Sequence, residues 1–197
     1  MKKVLVVGAT GLIGQTVADT LAQEHEVVRS SRNDGERADM SDPASVRALF
    51  ERVGPVDAVV SCAGAVPFKP LTELAAGDYE AAVQEKVLGQ VNLVTEGIAH
   101  VRDGGSFTLI SGVLSREPIA TGAAASLANG AVESFVMAAA TELPRGIRIN
   151  VVSPSVLAEA EAYHPFFPGY PQVPAAEVAR AYVRSVAGVE TGKTFDV

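Results

Sequence analysis

The 197-residue chain has one cysteine, Cys62, no run of basic residues and no unbroken apolar stretch of membrane-spanning length. A lone thiol makes no internal disulfide and no cysteine-rich metal centre, so no metal is expected. A net charge of −7 without a basic patch argues against nucleic acid or an anionic membrane as partner. Met1–Gly11 meets its first glycine after only four apolar residues, too few for the core of a secretion signal. No repeat, linker or change of composition divides the chain. It reads as one domain over residues 1–197 of a cytoplasmic protein. A smaller absence matters more: Thr121–Val132 contains no titratable side chain.

What is present is an alternation of β-branched runs and helical periods. Lys2–Val7, His25–Ser31, Val56–Gly64, Ser106–Ser111 and Arg148–Ser153 read as buried strands, with a last one near Lys193–Val197. Helical spacing spans Gly11–Gln23, about Asp78–Val101, about Thr121–Leu143 and Ala175–Val186. A further helix over Ser41–Gly54 has Ser41 or Asp42 as cap, Pro43 in its first turn and Gly54 closing it. The alternation implies an α/β fold, a Rossmann-type doubly wound parallel sheet with helices on both faces. Residues 163–173 form an aromatic, proline-rich loop that suits a lid or a partner surface.

Gly8, Gly11 and Gly14 fall between the first strand and the first helix, in a turn shared with Thr10, Leu12 and Ile13. Glycines there permit a tight turn and let backbone N–H groups approach a phosphate, which the helix N-terminus favours. An NAD site also offers a carboxylate at the end of the second strand. This chain has Ser30, Ser31 and Arg32 there, and no acid before Asp34. Hydroxyls and a guanidinium suit a 2′-phosphate, so NADP(H) is expected over NAD(H).

With "VVGATGLIG", "ADMSD", "VVSCAG", "GGSFTLIS", "GAVESFVMAAATELPRGIRINVVSPS" and "TGKTFDV" in order, the chain resembles the short-chain dehydrogenase/reductase family over nearly its whole length. The resemblance implies an edge strand at Glu36–Met40 and a homodimer through the two long helices. It places Asp39 and Met40 at the adenine, Cys62, Ala63 and Gly64 along the adenosine ribose, and Pro154, Ser155 and Val156 near the nicotinamide. It also implies where the family's acid/base residues fall. The asparagine position is Lys86, the serine Gly112, the tyrosine Ala125 and the lysine Asn129, so all four are replaced, as in the family's atypical branches. An alanine methyl transfers no proton, and glycine offers no side-chain hydrogen bond.

Two expectations follow. One is an NADP(H)-dependent oxidoreductase with a non-standard active site for an unknown small carbonyl or alcohol. The other is a catalytically silent NADP(H)-binding sensor or scaffold. Lys86 and Asn129 are expected to converge on the cleft from opposite walls and hold the cofactor, with turnover of simple ketones near background. Tyr163 and His164 are the candidate proton carriers in the loop. Ser111 is a third candidate, although strand alternation points it away from the Gly112 side.

Overall fold

The first strand, β1 (Lys3–Val7), sets the plan of the fold in a computed structural model that describes residues 1–197. Val4 and Val6 face one side and Leu5 and Val7 the other, and all four are buried. Both faces of a parallel sheet are covered, so its strands carry apolar residues at successive positions. Beside β1 lie β2 (Glu26–Ser31) on one flank and β4 (Val56–Ser61) on the other, both parallel to it. With β3 (Glu36–Arg37), β5 (Val101–Ile110), β6 (Arg148–Ser153) and β7 (Thr194–Asp196) the order is β3-β2-β1-β4-β5-β6-β7, parallel throughout.

Helices α1 (Leu12–Leu21) and α6 (Ala175–Ala187) cover one face, where Val17, Leu21, Val178 and Tyr182 pack with Val4 and Val6. The other face is covered by α2 (Pro43–Val53), α4 (Gly89–Gly97) and α5 (Ala123–Glu142). There Leu49, Phe50, Leu93, Val132 and Val136 meet Leu5, Phe107 and Ile149. Asp42 caps α2 through a bond accepted from the Ala44 N–H at 2.9 Å. The chain leaves β1 toward β2 and returns on its other side as β4. This reversal opens a crevice at the carboxyl ends of β1 and β4, where open α/β sheets bind ligands.

Two expectations need correction. The helix read over Asp78–Val101 is α3 (Ala76–Ala82), a π-helical turn at Val83–Leu88, and α4, which ends at Gly97. The His100 carbonyl accepts from the Val56 N–H at 3.0 Å, drawing the chain into the sheet, so Val101 opens β5 instead of closing a helix. Pairing then jumps from Val56–Val101 to Ala58–Ser106, with Gly104 at φ +70° in the irregular stretch between. The edge strand is only Glu36–Arg37, parallel to β2 across a short connection. That connection turns because Gly35 adopts φ +66° and the Ser31 hydroxyl accepts from the N–H groups of Asn33 and Asp34. Helix α5 is 20 residues long and apolar on average, but Glu133 interrupts it, so it is no unbroken apolar stretch. Its inner face lies in the core, and Leu127 and Met137 are exposed on its outer face.

Candidate active-site cleft

Gly8 leaves β1 at φ +83°, and a Cβ there would lie 2.7 Å from the Ala63 Cβ. Gly14 presses α1 onto the same turn, for a Cβ at that position would lie 2.0 Å from the Gly8 carbonyl oxygen. No side chain caps α1 at Gly11, so its first N–H groups face the crevice without a competing acceptor. Above this turn lies a cavity of about 450 Å³ lined by Gly8, Thr10, Gly11, Ser31, Arg32, Asp39, Met40, Cys62, Ala63 and Gly64 among others. Ten residues read from the sequence are thus brought together. Val7, Asn33, Ala38, Ser41, Ala65 and Glu85 complete the wall without having been foreseen.

The polar groups at the end of β2 divide their work. Ser30 is fully buried and its hydroxyl donates to the Glu36 carbonyl, holding the edge strand. Ser31 donates to the Asp34 carbonyl at 2.8 Å. Neither hydroxyl is left for a ligand, so of this triplet Arg32 alone offers free donors to the cavity. Its guanidinium is paired with Glu85 at 2.7 Å. Asp39 accepts from the Ser41 hydroxyl and N–H, bonds that hold its carboxyl below the usual range, with help from the Arg32 charge. Leu12 does not line the cavity and is 45% exposed.

Cys62, Ala63 and Gly64 also line a second cavity of about 270 Å³, so the two adjoin along that segment. Its walls hold Ile13, Lys86, Ser111, Gly112, Ala125, Asn129, Pro154, Ser155 and Val156. Lys86 is 8% exposed, and its Nζ donates to the Ser111 carbonyl at 3.1 Å. Burial pulls its pKa down to about 8, while the Glu133 carboxylate acts in the opposite direction. Asn129 is 3% exposed, and its Oδ1 has no partner in the protein. A Cβ on Gly112 would lie 3.1 Å from the Asn129 Nδ2, so the glycine makes room for the amide. Burial pushes the Cys62 thiol up to about 12, and the Tyr182 hydroxyl beside it offsets only part of that. It is a small, half-buried neutral group.

Ser111 turns its hydroxyl to Glu133 at 2.7 Å, consistent with strand alternation. Glu133 also accepts from Ser115 at 2.8 Å and Arg116 at 2.6 Å. The loop residues proposed as proton carriers do not reach the cavity. His164 bonds the Leu157 carbonyl through Nε2 at 2.9 Å, and Tyr163 is exposed, stacking at a tilt on Phe68. Tyr170 donates to the carbonyls of Glu117 and Pro118. What the loop contributes to the wall is Phe167, which joins Val66 and Phe68 in the lining.

The family model described as Enoyl-(Acyl carrier protein) reductase matches residues 8–190. The chain belongs to the short-chain dehydrogenase/reductase family. Among solved structures, this short-chain dehydrogenase/reductase is similar to a Listeria innocua protein, at 45% identity over the whole of both chains with a TM-score of 0.98. A small-chain dehydrogenase in complex with NADPH is 29% identical, over 99% of this chain and 95% of that one, with a TM-score of 0.88. An uncharacterized oxidoreductase of Methylorubrum extorquens is 29% identical over 178 residues, 78% of this chain and 72% of its own. The family is one of oxidoreductases, and the second and third of these relatives are described as a dehydrogenase and an oxidoreductase.

Proposed function

We propose that this protein is an NADP(H)-dependent oxidoreductase acting on a small apolar carbonyl compound or alcohol through a non-standard active site. One observation carries the reading. The glycine turn and Arg32 line one cavity, Lys86 and Asn129 line the next, and the two adjoin along Cys62–Gly64. The residues fit a dinucleotide. The Gly8–Gly14 turn presents uncapped N–H groups for a pyrophosphate, Arg32 for a 2′-phosphate, and the unpartnered Asn129 Oδ1 for a ribose hydroxyl. When bound, the reduced cofactor supplies hydride. The protein positions it, excludes water with apolar walls that include Ile13, Phe68, Leu114 and Phe167, and sets the charge around the substrate oxygen.

The non-standard character follows from the lining of the inner cavity, which contains no tyrosine and no histidine. That same lining favours a second reading, a catalytically silent sensor whose bound nucleotide shapes the aromatic loop. The two separate in one assay. Purified protein with NADPH and apolar ketones such as cyclohexanone and acetophenone is expected to oxidise NADPH slowly but above a no-protein control. Binding of NADPH without oxidation across the ketone panel supports the silent reading instead.

The exposed face of α5 supports a homodimer. Leu127, Gly130, Met137 and Ala138 recur at helical spacing on it, and Gly130 has open space above its backbone. Light scattering at tens of micromolar is expected to give the dimer mass, and a monomer at that concentration removes the idea.

A further inference from the structure

We infer that the Lys86 ammonium is the acid that protonates the substrate oxygen during carbonyl reduction. This deepens the oxidoreductase reading and rests on it.

The geometry begins with the π-helical turn. Glu85 and Lys86 are neighbours on it, yet Glu85 reaches Arg32 in the outer cavity while Lys86 lines the inner one. The Lys86 stem lies across Gly64, where a Cβ would sit 2.8 Å from its Cγ and 3.3 Å from its Cδ. Gly64 lines both cavities, so the lysine crosses the waist of the cleft. Beyond the waist its Nζ bonds the Ser111 carbonyl, and its remaining N–H bonds have no acceptor in the protein. They are available to an oxygen bound in the cavity.

No carboxylate takes up that charge by contact. Glu133 on α5 is occupied by Ser111, Ser115 and Arg116, and acts on Lys86 only through space. Glu85, on the same turn, is occupied by Arg32. Cys62, after β4, is the other titratable group on the inner wall, and burial keeps it neutral. Asn129, on α5, has an amide that holds its protons. Lys86 is therefore the one group in the inner cavity able to release a proton near neutral pH. An acid with a pKa of about 8 is well matched to that task.

The step balances. With a bound reduced cofactor supplying hydride to the carbonyl carbon, the C=O π pair would move onto oxygen, and a Lys86 N–H bond would break to deliver its proton there. The neutral amine left behind regains a proton from solvent. Alcohol oxidation runs the same transfers backward, with the neutral amine as base. Reduction needs the protonated form, so its rate falls as pH rises through the Lys86 pKa.

The test compares wild-type protein, Lys86→Met and Lys86→Arg. Trace acetylation with acetic anhydride, followed by mass spectrometry across the neutral-to-alkaline range, reads Lys86 ionisation without any turnover. Its midpoint is expected near 8, and a midpoint in the ordinary lysine range overturns the proposal. In NADPH-dependent ketone reduction, Lys86→Met is expected to lower kcat by about 100-fold, far more than it changes NADPH affinity measured by fluorescence. Lys86→Arg retains part of the rate and moves the alkaline limb upward, a shift that a merely structural lysine does not produce. Full activity in Lys86→Met overturns the proposal and leaves the oxidoreductase reading standing. A wild-type protein that binds NADPH and reduces no ketone overturns both.

Discussion

Gly14→Ala is expected to lower the stability of the protein by about 3 kcal/mol or more and to abolish dinucleotide binding. The added methyl would sit 2.0 Å from the Gly8 carbonyl oxygen, 2.8 Å from the Gly8 carbonyl carbon and 3.0 Å from the Ala9 Cα. All three are backbone atoms, so no rotamer change relieves the clash. Either the turn opens or α1 lifts, and α1 carries Val17, Ala18 and Leu21 into the core shared with Val4, Val6 and Tyr182. Gly77→Ala is the control. It is also helical, has nothing within 4 Å of the added carbon, and should raise stability by a few tenths to about 1 kcal/mol. Urea unfolding midpoints of the two variants are expected to move in opposite directions.

The second large effect concerns Arg32 and Glu85. A 2′-phosphate reaching the Arg32 guanidinium has to displace or share with the Glu85 carboxylate, which holds it at 2.7 Å and would repel the phosphate. A bare 2′-hydroxyl meets no such opposition and gains little from the cation. Arg32→Ala should therefore cost NADPH about 1.5–3 kcal/mol of binding, roughly 10- to 150-fold, while NADH affinity stays within a few-fold. Glu85→Gln should act with the opposite sign, tightening NADPH and leaving NADH nearly unchanged. Tighter NADPH binding in Arg32→Ala, or weaker binding in Glu85→Gln, contradicts this account of the outer cavity.

Much of this cleft was legible from residues alone because it depends on backbone. Gly8, Gly11 and Gly14 mark their turn by spacing, and their function needs only the absence of a side chain. The core strands announce themselves because burial on both faces demands consecutive apolar residues, as in Val4–Val7. Lys86 carried a readable signal too. The resemblance put it at the family's asparagine position, and the structure buries it between Ala82 and Gln90, four residues to either side. Other features have no local signature. The π-helical turn adds a residue without changing composition, and nothing near Glu85 announces its pairing with Arg32, 53 residues away. Ser30 and Ser31 looked like ligand groups because sequence shows their hydroxyls but not the edge strand and turn that consume them. The inner wall is likewise assembled by tertiary contact, with Phe68 and Phe167 arriving from separate loops.

The central claim is that this cleft is built for a dinucleotide bearing a 2′-phosphate. Its most direct test is a fluorescence titration of the purified wild-type protein with NADPH and, in parallel, with NADH. The account predicts NADPH binding tighter by at least about tenfold, or about 1.4 kcal/mol. Equal affinities, or tighter binding of NADH, would contradict it.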